Sequence, residues 1–288
     1  MKEGKVIKLI GGKYDVMDAS GNVQTVVPRG VLRHQGVSPK VGDRVTFDES
    51  QIIDVLKRTN DFLRPPIANV DQVLIITSTV DPDFSTYLLD RFLVVAEDSD
   101  VSARIVLNKT DLVDEKTLDS IRSTLSYYEN HYPVHFVSIH DDHSLATLKR
   151  VFKDQESVLA GQSGAGKSSI LNALDPSLTL RTGEISKALG RGRHTTRHVE
   201  LLRLEGGLVA DTPGFSKLSL EGIDSVRLKE CYADFEKFAG ACKFRQCLHV
   251  NEPGCAVKEA VSEGNIPKHR YETYLRIHEE INTNKRHY

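Results

Sequence analysis

Gly161-Gln162-Ser163-Gly164-Ala165-Gly166-Lys167-Ser168 has the spacing G-x-x-x-x-G-K-[ST]. It lies between a short apolar run at Ser157–Ala160 and a helix-like segment at Lys167–Leu174. A strand, a glycine-rich loop and a helix start, in that order, commit the surrounding chain to an α/β fold. Glycines let successive backbone N–H groups curl around a phosphate, and the helix N-terminus adds partial positive charge. Lys167 can reach the β and γ oxygens of a nucleotide, and the Ser168 hydroxyl can ligate Mg²⁺. A chance glycine turn would lack both the preceding strand and the Lys-Ser pair.

A phosphate loop does not separate ATP from GTP. Asn108-Lys109-Thr110-Asp111, of the form N-K-x-D, follows an apolar strand at Ala103–Leu107. The Asp111 carboxylate can accept from both the ring N–H and the exocyclic amine of guanine, and it would repel adenine, which has an acceptor at the ring position. Lys109 can lie along base and ribose. Ser138-Ile139, after the strand Val134–Val137, sits where a backbone N–H can support the guanine O6. Asp211-Thr212-Pro213-Gly214 follows Leu208–Ala210; Asp211 would hold Mg²⁺ through water and the Gly214 N–H would meet the γ-phosphate. The usual GTPase order is phosphate loop, switches, then N-K-x-D. Here N-K-x-D comes first and D-T-P-G last, so the site forms only if the chain is circularly permuted within one sheet.

The surrounding pattern supports this. Beyond Arg64-Pro65-Pro66, strands at 70–78, 103–107, 134–138, 157–160, 199–204 and 208–210 alternate with helices at 84–98, 115–130, 144–152 and 167–174. This predicts a mostly parallel sheet with helices on both faces. Before that boundary, Val/Ile-rich runs at 5–10, 14–17, 23–27, 45–48 and 52–56 are broken by Gly11-Gly12, Ser20-Gly21-Asn22 and Gly42-Asp43. Five short strands predict a small barrel of the oligonucleotide-binding (OB) or SH3 type, with Arg29, Arg33, His34 and Lys40 near its loops. After Ile223 the chain reads as helical, with Tyr271, Tyr274, Leu275, Ile277 and Ile281 on one apolar packing stripe. The expected domains are 1–65, 66–222 and 223–288. The 288 residues carry 38 basic and 40 acidic side chains, net −2, so nucleic-acid binding would need a local patch rather than overall charge. No apolar run approaches the roughly 18 residues of a membrane span, and a cytoplasmic protein is expected.

GTPases often carry Gln just after D-x-x-G to orient the attacking water; this chain has Phe215 there, which predicts slow unaided hydrolysis. Gly190–His198, GRGRHTTRH, offers replacements. Thr195 or Thr196 is placed like the switch Thr that ligates Mg²⁺, and His194 could orient water once a partner orders the loop. Arg181, Lys187, Arg191, Arg193, Arg197 and Arg203 make the region basic and suited to a phosphate backbone. A solvated mobile loop is the competing reading.

Cys242-x₄-Cys247-x-His249-x₅-Cys255 supplies three thiols and an imidazole within 14 residues. Four N/S ligands suit one structural Zn²⁺ and leave no open catalytic position. Cys231 reads as a small buried residue.

The N-terminal barrel, NKTD before GQSGAGKSS (through Ser169), GRGRHTTRH, DTPGF and the Cys/His knot together closely resemble the RsgA family of bacterial GTPases, over essentially the whole chain. The resemblance implies an OB-type barrel, a permuted GTPase domain and a C-terminal zinc domain. It further implies Mg²⁺-dependent GTP hydrolysis stimulated by the small ribosomal subunit and its rRNA, late in maturation of that subunit. Guanine alarmones would compete with GTP and GDP, His194 is the candidate catalytic residue, and a monomer is expected. Two other classes stay open from the residues alone: a GTP/GDP-sensing RNA-binding module with negligible turnover, favoured by Phe215, and a P-loop kinase or ATPase, opposed by Asp111.

Overall fold

The computed structural model describes residues 1–62, 65–180, 199–210 and 220–284. Five strands, β1 (Lys2–Ile10), β2 (Lys13–Asp18), β3 (Val23–Pro28), β4 (Arg44–Phe47) and β5 (Gln51–Val55), close into a barrel of order β1-β2-β3-β5-β4. Alternate residues point inward, so Val6, Val16, Val45, Phe47 and Ile52 form its buried centre. The expected loop between β3 and β4 contains a short helix, α1 (Gly30–His34), which carries Arg33 and His34 in its last turn. Leu32, 1% exposed, anchors that turn in the barrel, a contact that turn propensity alone does not reveal.

A two-residue ladder follows, β6 (Asp61–Phe62) with β7 (Ile67–Ala68). Arg58 ties it to the barrel, with Nε 2.7 Å from Asp43 Oδ1 and Nη1 2.7 Å from Asp61 Oδ2. Asn60 and Val70 exchange two hydrogen bonds, Nδ2 to O at 2.7 Å and N to Oδ1 at 2.9 Å. The strand expected from Val70 therefore starts at Gln72.

The six-stranded sheet comprises β8 (Gln72–Ser78), β9 (Ser102–Asn108), β10 (Val134–Phe136), β11 (Glu156–Ala160), β12 (Leu201–Leu204) and β13 (Gly207–Ala210), in the order β10-β9-β8-β11-β13-β12. All neighbours are parallel except β12 with β13. Along β8, Val73 and Ile75 face one way, toward Leu89 and Leu93 of α2 (Thr86–Asp98) and Leu118, Ile121 and Leu125 of α3 (Glu115–Tyr128). Leu74 and Ile76 face the other way, toward Leu145 and Leu148 of α4 (Asp142–Val151) and Ile170 and Leu171 of α5 (Lys167–Leu174). A strand buried on both faces has no polar register to show, hence the unbroken run VLII.

The C-terminal segment is helical, α6 (Ser225–Glu230), α7 (Ala233–Ala239), α8 (Ala256–Ser262) and α9 (Lys268–Asn284). Tyr274, Ile277 and Ile281 are buried against Leu228, Tyr232, Phe235 and Val257, with Tyr271 and Leu275 flanking them. The stripe is a packing face.

A buried ion cluster docks this segment on the sheet domain. Arg270 of α9, 1% exposed, places Nη1 2.5 Å from Asp90 of α2, and Nε and Nη2 each 3.0 Å from the two oxygens of Asp234 of α7. Tyr128 donates to Asp90 at 2.8 Å and Tyr127 donates to Asp234 at 3.0 Å. The guanidinium lies 4.1 Å above the Tyr232 ring. Burial raises the Asp90 carboxyl above its ordinary 3.8; at Asp234 burial is outweighed by Arg270, which holds that carboxyl below 3.8. Replacing Arg270 with Met leaves two buried carboxylates without their counter-charge, and an unfolding free energy lower by about 3–5 kcal/mol is expected. In that variant burial outweighs the remaining hydrogen bonds from Tyr128, Thr273 and Tyr127, so both carboxyls are expected to titrate above 3.8 in the folded state. The fold then binds protons that the unfolded chain does not, and its deficit against wild type should shrink as pH falls from 7 toward 5. Denaturant melts at several pH values check both.

Candidate functional site

The carboxyl ends of β8, β9 and β11 open on one crevice, because the three strands run parallel and in register. The chain leaves β11 through Gly161 at φ +138°, where a Cβ would stand 2.1 Å from the Ile76 carbonyl of β8. It enters α5 through Gly166 at φ +95°, where a Cβ would stand 2.2 Å from Asn108 Nδ2. Both positions demand glycine, for backbone angle and for space. Gln162, Ser163 and Gly164 form the turn between, and the buried Ala165 plugs the loop into the core against Ile170. Lys167 Nζ donates to the carbonyls of Gly161 and Gln162, each at 2.7 Å, and so lies across the loop mouth. Ser168 and Ser169 occupy the first turn of α5, where the outward-facing helix N–H groups and the dipole favour an anion.

Asn108 ends β9 and is 2% exposed. Its Nδ2 donates to the Ala165 carbonyl at 2.9 Å, joining residues 57 apart, while its Oδ1 is buried with no partner among the described residues. The loop reading from the sequence named Asn108 but not this bond. Lys109 adopts φ +63°, and its ammonium donates to the carbonyls of Val80, at 3.1 Å, and Asp81. Asp81 and Pro82 in turn face Gly164 of the phosphate loop. Thr110 and Asp111 begin a short 3₁₀ turn, and the Asp111 side chain is exposed at the crevice rim. Thr110 N donates to Val137 O, bringing in the end of β10, where Ser138 is buried and Ile139 exposed. Ser138 Oγ accepts from His140 N at 3.0 Å, which fixes that loop. The phosphate loop, N-K-x-D and Ser138-Ile139 are thus brought to one edge. His194, Thr195, Thr196, Asp211, Gly214 and Phe215, with Arg181, Lys187, Arg191, Arg193 and Arg197, lie outside the described residues. Of the strands that flank them, β13 pairs with β11 and β12 pairs with β13 on the same sheet.

Cys242, Cys247, His249 and Cys255 present ligand atoms that all lie within 4.8 Å of one another. His249 Nδ1 is 3.4 Å from Cys255 Sγ and 3.7 Å from Cys242 Sγ, and the last two sulfurs are 4.0 Å apart. A tetrahedron with Zn–S bonds of about 2.3 Å has edges of about 3.8 Å, so the spacing and the donor set both fit. Burial pushes the Cys247 thiol up and the His249 imidazole down. A bound cation would draw off the thiol protons and so reverse the preference at Cys247, while the neutral imidazole that burial favours at His249 is already the ligating form. The support is backbone-directed. Glu252 accepts from Leu248 N at 2.7 Å and Val250 N at 2.9 Å, and Tyr271 and Tyr274 donate to the carbonyls of His249 and Leu248. Cys231, 1% exposed, stands apart as a buried apolar residue.

Fold and crevice together define a P-loop GTPase whose guanine-motif strand precedes its phosphate-loop strand, a circularly permuted GTPase. A family model described as RsgA GTPase matches residues 55–221, and one described as RsgA N-terminal domain matches residues 3–52. The chain belongs to the RsgA GTPase family, whose members hydrolyse GTP. It is 46% identical over 298 residues to the small ribosomal subunit biogenesis GTPase RsgA of Bacillus subtilis, and 48% identical over 295 residues to RsgA 2 of Oceanobacillus iheyensis, covering all of both chains in each case. Among solved structures it is similar to YloQ, a circularly permuted GTPase, with TM-score 0.83, 41% identity and 99% and 96% of the two chains covered. YjeQ from Thermotoga maritima matches with TM-score 0.85, 36% identity and coverage of 97% and 98%. Among the described residues no helix is long and apolar enough to cross a membrane.

Asn108→Ala removes the bond that holds the phosphate loop to β9. A buried hydrogen bond of about 1–3 kcal/mol corresponds to a roughly 5- to 150-fold weaker nucleotide affinity, measurable by titration with a fluorescent GDP analogue. Stripping metal with a strong chelator should raise amide exchange across residues 223–284 and leave the β1–β5 barrel protected, with one zinc released per chain.

Proposed function

We propose that this chain is a GTPase of small-ribosomal-subunit biogenesis, which binds the subunit and its rRNA in the GTP form and leaves after hydrolysis to GDP and phosphate, as a late maturation checkpoint. The observation that carries the reading is the Asn108–Ala165 hydrogen bond, which couples a guanine-reading loop to a phosphate loop despite their reversed order. The full-length similarity to proteins named for small-subunit biogenesis supplies the partner class.

In this reading Asp111 accepts from the guanine edge, Lys109 covers the base, Ser138 and Ile139 line the O6 side, and Gly161–Ser169 wraps the phosphates. Ser168 and Thr196 would hold Mg²⁺ directly, and Asp211 through water; when bound, the ion offsets charge on the β and γ oxygens. Gly214 would register the γ-phosphate. Phe215 cannot orient water, so hydrolysis without the partner is slow, and His194 takes that role once the subunit orders the basic segment. Thr195 is the alternative ligand at the Thr196 position. Cys242, Cys247, His249 and Cys255 hold one structural zinc. Guanine alarmones, sharing the base and 5′-diphosphate, would compete for the site. The protein would act as a cytoplasmic monomer.

Single-turnover GTP hydrolysis with and without purified small subunits tests this. A rise of about 10³-fold or more, of the size partner-supplied groups give other GTPases, and lost in His194→Ala, is expected. A rise untouched by that change removes His194 from catalysis, and no rise leaves a nucleotide-sensing binding module. Asp111→Asn should abolish the preference for GTP over ATP; unchanged guanine selectivity would falsify the base-reading role.

A further inference from the structure

The barrel touches the sheet domain at a seam that the nucleotide site does not use. Lys8 of β1 and Glu200, the residue before β12, form an antiparallel β-bridge, and Lys8 Nζ donates to Glu200 Oε1 at 2.9 Å. Farther along β12, Arg203 Nη2 donates to the Gly21 carbonyl in the β2–β3 turn at 2.7 Å. Lys5 pairs with Glu156 at the start of β11. Behind these ties lies a cavity of about 810 Å³ between the two domains, bordered by Asp18, Arg44, Asp154 and Glu205. The barrel is also held near the amino end of β8, where Val41 bridges Ile67 and the Gly42 carbonyl accepts from Asn69 Nδ2 at 2.9 Å.

The seam falls on a particular strand. β12 is the sheet's outer antiparallel strand, paired with β13 on one side and met by β1 at Glu200 on the other. By sequence it follows directly on the GRGRHTTRH stretch, and β13 leads directly into Asp211-Thr212-Pro213-Gly214. A shift of the barrel therefore pulls on the strand hairpin that joins the two stretches, and a shift of that hairpin turns the barrel.

We propose that Lys8, Glu200 and Arg203 are positioning residues, through which a partner seated on the barrel adjusts the β12–β13 hairpin and thereby the rate of GTP hydrolysis. The proposal rests on the reading that the small subunit stimulates hydrolysis, and it adds the route. Partly exposed single ion pairs are weak, so the coupling is carried by the bridge, the Arg203 bond and the Lys8–Glu200 pair together.

Lys8→Glu sets two carboxylates opposite each other at the bridge. Stimulated turnover at saturating small subunits should fall about 5-fold or more, while basal turnover and subunit affinity, measured with a non-hydrolysable GTP analogue, stay at wild-type values. The reciprocal pair Lys8→Glu with Glu200→Lys should restore stimulation. A wild-type response of Lys8→Glu overturns the proposal. So does a loss of subunit affinity that the swap does not restore, since Lys8 would then touch the partner directly. A second readout holds even if the subunit does not stimulate the wild type. The distance between spin labels on unnatural side chains at Gln35 and Thr147 should differ between the GDP and GTP-analogue states, and Lys8→Glu should erase the difference. An identical distance in both states overturns the coupling independently of the subunit.

Discussion

The central strand β8 is hydrogen-bonded on both sides, to β9 over seven residue pairs and to β11 over four, and every consequence for function follows from that register. It aligns Ser78 with Asn108, and Ile75 with Ala160, so that the chain leaves β9 and β11 at the same edge of the sheet, β11 three residues earlier along β8, and the phosphate loop rises over that step. Asn108 can then reach Ala165 across the top of β8, although the two belong to loops whose order along the chain is reversed relative to an ordinary GTPase. Circular permutation is tolerated because parallel pairing fixes where a strand's carboxyl end lies, whatever the connections do at the far edge.

The permutation also frees both ends of the sheet domain to carry other domains, and the two junctions use different physics. At the C-terminal side, a guanidinium buried between two carboxylates and two tyrosines gives geometric definition, at a desolvation cost that only full pairing offsets. At the barrel side the seam along β12 is made of partly exposed ion pairs, a bridge and one backbone acceptor beside a large cavity, while the side toward β7 is packed through Val41 and Ile67. The first junction resists movement, and the second suits adjustment. A buried charge cluster breaks all at once, whereas exposed pairs re-form with small changes in length.

Much of this was legible from local chemistry. Gly161 and Gly166 announce a loop that needs positive φ and close approach, and the Cβ clashes with Ile76 and Asn108 give the reason. Strand and helix types followed from the run VLII and from the α3 and α4 periodicities, with Asp114 and Asp141 capping their helices. The Cys/His spacing announced four converging ligands. Three features were not legible. The helix at Gly30–His34 depends on a single buried leucine. The Asp90–Arg270–Asp234 cluster joins residues up to 180 apart, each of which reads as an ordinary surface charge. Lys8 and Glu200 are likewise unremarkable until β1 is laid against β12.

By itself, the sequence determined the chemistry of each loop: which backbone can wrap a phosphate, which carboxylate can read guanine, which four side chains suit a tetrahedral metal. Those are properties of residue type and short spacing, and they survive any rearrangement of the chain around them. Tertiary structure alone decided which loops meet, which charges are buried and where the three domains touch. Such outcomes depend on strand register and on long-range packing, where the free energy of one contact is set by everything that excludes water around it.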